Sequence, residues 1–172
     1  NRRPPNPGLF IIEEPLSESP VLRRVAESDE PLMFADYVLR PDNALPTVYA
    51  GLQATAWQSF TPDGGSYRVT RHPLPAWSGT GKGVAVGDLD GDGLEDLALT
   101  CEHAEDKVGV WWISNVAAVG GKATNYRPVT NHIGVKFDRI ELIDLDGDDD
   151  LDLITCEERD GLGVIWYENP LN

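Results

Sequence analysis

Cationic residues, sulfur and long apolar runs are all scarce in this sequence, and each scarcity removes a class of function. Lys and Arg number 14 against 29 Asp and Glu, for a formal net charge of −15. A chain this acidic is repelled by phosphate backbones and anionic headgroups, which argues against nucleic acid or a membrane surface as partner. No stretch approaches the length of a transmembrane helix, so membrane insertion is not expected, and no signal peptide is recognisable. The first residue is Asn1 and not Met, so a trimmed, processed or partial chain is expected. Only two cysteines occur, Cys101 and Cys156, each within Thr-Cys-Glu. No spacing supports zinc or redox chemistry. Equivalent positions of successive repeats lie too far apart for a disulfide, so both are expected as buried free thiols.

The acidity is concentrated. Asp88-Leu89-Asp90-Gly91-Asp92-Gly93-Leu94-Glu95-Asp96 recurs as Asp144-Leu145-Asp146-Gly147-Asp148-Asp149-Asp150-Leu151-Asp152. Carboxylates occupy loop positions 1, 3, 5 and 9, and position 7, Leu94 or Asp150, offers a backbone carbonyl. Oxygen-only ligands in a flexible anionic loop suit calcium, with magnesium the weaker candidate. Two Ca²⁺ sites are therefore expected: Asp88, Asp90, Asp92, Leu94 and Asp96 in one, and Asp144, Asp146, Asp148, Asp150 and Asp152 in the other. An EF-hand would place a bidentate Glu at position 12, where Leu99 and Thr155 stand, and would need helical flanks. Apolar, β-branched segments flank these loops instead, so each is expected to join two strands. The competing reading, a solvated acidic turn without a metal, leaves four crowded carboxylates unneutralised. In the second loop Asp149 replaces Gly93 at position 6, where a left-handed backbone would strain it.

Other features share this period. Trp112 and Trp166 are 54 residues apart, Asp88 and Asp144 are 56, and Cys101 and Cys156 are 55. One unit back from Trp112 lies Trp57, and before it the apolar Leu9-Phe10-Ile11-Ile12. Strands ending in basic or hydroxylic residues, around Val21, Tyr67 and Tyr126, close each unit. The expected organisation is all-β: residues 1–27 end one repeat after a proline-rich turn at Pro4, Pro5 and Pro7, 32–74 form a degenerate repeat, 81–132 a complete one, and 135–170 one lacking its last strand. Two, four, four and three strands follow, thirteen altogether. In the degenerate repeat Asp36 keeps position 1 of the acidic loop, but Val38 and Arg40 take positions 3 and 5, so no cation is expected there. Four-stranded antiparallel units of this length fit β-propeller blades, about three and a quarter of them here, although a shorter sandwich would use the same strands.

Gly83-Val84-Ala85-Val86-Gly87 before Asp-x-Asp-Gly-Asp-Gly-x-x-Asp-Leu, then Thr-Cys-Glu and Gly-Val-Ile-Trp-Tyr-Glu-Asn-Pro, resembles the FG-GAP/VCBS repeats of bacterial secreted proteins, related to the integrin α-subunit propeller. The likeness is close over residues 81–170 and loose over 1–80. It implies propellers, commonly seven-bladed, with calcium in the loop between the first two strands of a blade. It also implies secretion to an extracellular, periplasmic or cell-surface location. Three-odd blades would leave sheet edges and an apolar face uncovered, so completion by further chain, a second chain or self-association is expected.

Catalytic groupings are thin. His72 and His132 end closing strands, where repeat geometry accounts for them. Glu102, His103, Glu157, Glu158 and Arg159 fall at the ends of second strands, opposite the acidic loops, and form the candidate recognition surface. Trp57, Trp112 and Trp166 are expected to pack between blades. The favoured function is a non-catalytic calcium-binding module that recognises protein or glycan. The alternative is a propeller domain of a carbohydrate-active enzyme, of polysaccharide lyase or sugar dehydratase type.

Overall fold

In a computed structural model, residues 7–41, 43–118, 125–131 and 133–171 are described. Among them the chain is all-β, with thirteen strands in four antiparallel sheets and a single 3₁₀ turn at Val116–Ala118. A hairpin of β1 (Gly8–Glu13) and β2 (Val21–Glu27) comes first. The second sheet is a meander of β3 (Leu32–Val38), β4 (Thr47–Leu52), β5 (Ala56–Asp63) and β6 (Ser66–Pro73). The third repeats that order with β7 (Thr80–Gly87), β8 (Asp96–Glu102), β9 (Val110–Ile113) and β10 (Tyr126–Pro128). The fourth has β11 (Phe137–Ile143), β12 (Asp152–Glu157) and β13 (Gly163–Tyr167). The division into two, four, four and three strands is the one the repeat predicts, and no sheet closes on itself. Pro4, Pro5, Asp42 and His132 lie outside the described residues.

Local chemistry accounts for the turns. Between β5 and β6, Asp63 pairs with Ser66 across Gly64 and Gly65, whose φ values of 57° and 84° suit the twist of a two-residue hairpin. A register shift interrupts the pairing of first with second strand in all four sheets, and in three of them, between Leu32 and Ala35, Gly81 and Val84, and Phe137 and Ile140, the extra residue lies on the first strand. Such irregularities bend a strand and raise its twist. All three bent strands are firsts of their sheets, and β7 packs against both β3 and β11.

Successive sheets bury three apolar layers. Val25, Ala26, Val48, Ala50, Phe60 and Tyr67 fill the first. Tyr49, Trp57, Leu97, Leu99 and Trp111 dominate the second, between the two four-stranded sheets. Ala85, Ala98, Val110, Phe137, Ile140 and Leu153 form the third, with Trp112 packed against it. Cys101 lies in the second layer, where Trp111 Nε1–H donates to its Sγ at 3.4 Å and burial pushes the thiol up to about 12. His72 stacks on Trp57 with ring centroids 3.8 Å apart, and burial lowers its pKa to about 4. It is thus a neutral packing group, as its strand-end position predicts.

Two expectations need correction. Trp57 is fully buried and Trp112 partly so, but Trp166 is 45% exposed. Cys156 is only half-buried. One cause serves both. Cys156 pairs across strands with Val164, which is 73% exposed, and these residues lie on the face of the last sheet that no described sheet covers.

The first strands approach closely because glycine stands between them. A Cβ on Gly83 of β7 would come within 2.6 Å of the Asp138 carbonyl oxygen in β11 and 2.5 Å of Thr100 Oγ1. Thr100 itself donates to that carbonyl. Even one methyl group must therefore push two sheets apart. Gly83→Ala is expected to lower stability by about 1–3 kcal/mol, the usual cost of overpacking, measured by urea denaturation.

Candidate metal loops and the opposite end of the sheets

The acidic loops occupy equivalent places, joining β7 to β8 and β11 to β12. In the first, one oxygen each of Asp88, Asp90 and Asp96 come within 4.8 Å of one another. In the second, Asp144, Asp146 and Asp148 do the same. Positions 1 and 3 thus converge in both loops, position 9 joins them only in the first, and position 5 only in the second. Asp92 instead accepts from Leu94 N–H at 2.8 Å. Asp152 accepts from Leu145 N–H and Asn169 N–H at 3.1 and 2.8 Å.

Position 9 also staples the loop. Asp96, fully buried, accepts from Leu89 N–H, Asp90 N–H and Asn115 N–H. Burial nevertheless pushes its carboxyl up, whereas at Asp152 the donors outweigh burial and bring it down. Asp146 is held up by partial loss of hydration and by the charges of Asp148, Asp152 and Glu168. Position 1 turns the loop: Asp88 accepts from Asp92 N–H and Gly93 N–H, and Asp144 from Gly147 N–H and Asp149 N–H.

Do these groups suit a cation? Asp90 Oδ1 is shielded from solvent and accepts no hydrogen bond from the described residues, while its Oδ2 takes Ser114 Oγ–H at 2.9 Å. A buried carboxylate oxygen without a donor is costly unless positive charge lies against it. The donor set is all oxygen, as a hard divalent ion requires. The Leu94 and Asp150 positions lie within the same loops, with Leu94 exposed and Asp150 buried.

Three features of this end were not legible from spacing. Asn169 Nδ2 donates to both Leu89 O and Leu151 O, at 2.9 and 3.1 Å, tying the two acidic loops together. Its recurrence one unit after Asn115 was the available signal. In the degenerate repeat Asp36 accepts from Val86 N–H at 2.9 Å, so it fastens β3 to β7. Arg40 reaches Glu95 at 2.6 Å, placing a fixed cation beside the first acidic loop from the repeat that lacks one of its own.

At the opposite end, Glu102, His103, Glu158 and Arg159 line one open depression of about 330 Å³ together with Lys136, which sequence reasoning missed. Glu102 is buried and bonded to Lys82 Nζ at 2.8 Å, and Lys82 also meets Asp138 at 3.1 Å. Burial disfavours the Lys82 ammonium, but its two carboxylate partners outweigh this and hold its pKa above the ordinary value. His103 sits at φ 55° with Nδ1 3.0 Å from Thr80 Oγ1.

Glu157 is placed differently. It is buried, and its carboxylate accepts from the backbone N–H groups of Val135, Lys136, Arg159 and Asp160 at 2.9–3.2 Å. Burial alone would raise its pKa, yet these donors bring it down from 4.5 to about 2. It organises the rim of the depression and does not line it. Comparison of the chain with family models, curated proteins and solved structures finds no match.

Two outcomes are expected. A carboxylate with a depressed pKa stabilises the fold above its unfolded value, and that contribution fades as pH falls from 4.5 toward 2. Glu157→Gln should cost about 2 kcal/mol at neutral pH and flatten the denaturation midpoint across that acid window. Asp149 has φ 72° where Gly93 has 85°, so Asp149→Gly should relieve strain and stabilise by about 1 kcal/mol, read as a higher melting temperature.

Proposed function

We propose that this chain is a non-catalytic, calcium-binding recognition module of the FG-GAP/VCBS repeat type, an arc of β-propeller blades working outside the cytoplasm. The observation that carries the reading is the convergence of carboxylates at positions 1 and 3 of two loops in equivalent places of successive sheets. A solvated turn has no need to gather like charges within 4.8 Å twice. The meander order of the sheets and their stacking in chain order support the propeller arc. The uncovered face around Val164 and Trp166 fits a partner sheet supplied by further chain or by another copy.

In this reading Asp88, Asp90 and Asp96 hold one ion, and Asp144, Asp146 and Asp148 the other. Asp92, Asp152 and the backbone carbonyls of Leu94 and Asp150 would complete the shells. Each ion offsets the repulsion of its loop, and Asn169 couples the two loops, so the ions act as struts between the third and fourth sheets. Their binding to the native state alone adds to stability by mass action. A recognition role draws on the other end of the sheets, where protein or glycan would meet the charged depression.

Thermal unfolding with calcium against EGTA tests the metal reading. At free calcium about a hundredfold above Kd, each site should add about 2.7 kcal/mol, and Asp146→Ala should abolish one of two sites in isothermal titration. An identical melt in calcium and in EGTA would overturn it. Magnesium at the same concentration is expected to stabilise less.

A further inference from the structure

The depression lined by Glu102, His103, Lys136, Glu158 and Arg159 is a built site, and its chemistry selects a ligand class. Three loops from two sheets form it: the one after β8, the one before β11 and the one after β12. Backbone hydrogen bonds stitch them, Ala104 N–H to Val135 O at 3.0 Å and Glu158 N–H to Lys136 O at 3.2 Å. The Glu157 carboxylate gathers five backbone amides, those of Lys136 and Arg159 among them. Lys82, buried, anchors Glu102 from the other side. Arg159 also reaches Glu105 at 3.0 Å, joining the loop after β12 to the loop after β8. The lining is therefore held in place before any ligand arrives, which lowers the entropic cost of binding. A volume of about 330 Å³ lies at the small end of ligand sites.

The lining alternates acceptors and donors. Glu102 and Glu158 accept, Lys136 and Arg159 donate, and the His103 imidazole adds a flat, partly apolar surface. A basic peptide side chain would meet two cations in this space, and a carboxylate or phosphate would meet two anions. The chain's net charge of −15 further disfavours an anionic ligand. A polyol escapes both conflicts, because each hydroxyl donates to a carboxylate and accepts from an ammonium or guanidinium. We infer that the depression between the third and fourth sheets binds a neutral saccharide, held by charge-assisted hydrogen bonds to Glu102, Lys136, Glu158 and Arg159. This rests on the recognition half of the proposed function and is independent of its metal half.

The test is saturation-transfer NMR followed by titration with methyl glycosides of glucose, galactose, mannose and N-acetylglucosamine. At least one should bind at millimolar concentration. Arg159→Ala and Lys136→Ala alter exposed or half-exposed side chains, so their melting temperatures should stay near that of the parent while affinity falls about tenfold, the equivalent of one charge-assisted hydrogen bond. No binding by any of the four glycosides, binding unchanged in both variants, or a preference for a lysine-rich or uronate probe would each overturn the inference. Running the series with calcium and with EGTA separates the two readings. Calcium stabilisation without sugar binding defeats only the saccharide site, and sugar binding without calcium stabilisation defeats only the metal reading.

Discussion

Everything in this molecule depends on how closely the first strands of successive sheets can lie. Each sheet is narrow, and the strands β4 and β8 are buried along their whole length, so the four-stranded sheets need a neighbour on either side. At β7 the contact is nearly backbone to backbone: Gly83 faces β11, and Gly51 of β4 faces the β7 carbonyl at Lys82, where a Cβ would come within 2.3 Å. That approach brings the Lys82 side chain between Glu102 and Asp138 and leaves the wider outer strands to be spaced by Trp57, Trp111 and Trp112. Small residues at Gly51 and Gly83 and large ones on β5 and β9 thus divide the spacing of the central sheets between them.

Charge follows the same division. At one end of the sheets carboxylates are gathered with little positive charge beside them, Arg40 being the cation that reaches in. At the other, cations and carboxylates are paired: Lys82 with Glu102 and Asp138, Lys136 with Glu158, Arg159 with Glu105. The exposed pairs among them add little stability. The buried one is different, since removal of either partner would strand a charge among apolar layers. The end that carries the depression is thus held by opposite charges, whereas the acidic end gathers like ones.

The β architecture was legible because its signals are local and recur. Asp loops, Trp strands and Thr-Cys-Glu each mark a fixed place in the unit, and together they give the strand count and the division into sheets. Burial at the last repeat was not legible. Trp166 and Cys156 carry the same local signature as Trp112 and Cys101, which are better covered one unit earlier, but burial depends on what covers them, and no local pattern encodes that. The same limit explains Arg40, Lys82 and Asn169, whose partners lie 55, 20 and 80 residues away. For the depression, the position of its loops at one end was readable from strand polarity. The inward turn of Glu157 was not, because Glu157 and Glu158 are adjacent and chemically alike. Only the backbone amides of a separate turn distinguish them.

The open face around Val164 and Trp166 bears on cooperativity. In a stack where each sheet touches chiefly its neighbours, stability is transmitted layer by layer and is least where a layer has one neighbour in place of two. Among the described residues the second and third sheets have a neighbour on both sides, while the β1–β2 hairpin and the β11–β13 sheet each have one. Order is therefore lost from the outer layers inward, and a cap on the final sheet would protect amides in sheets it never touches.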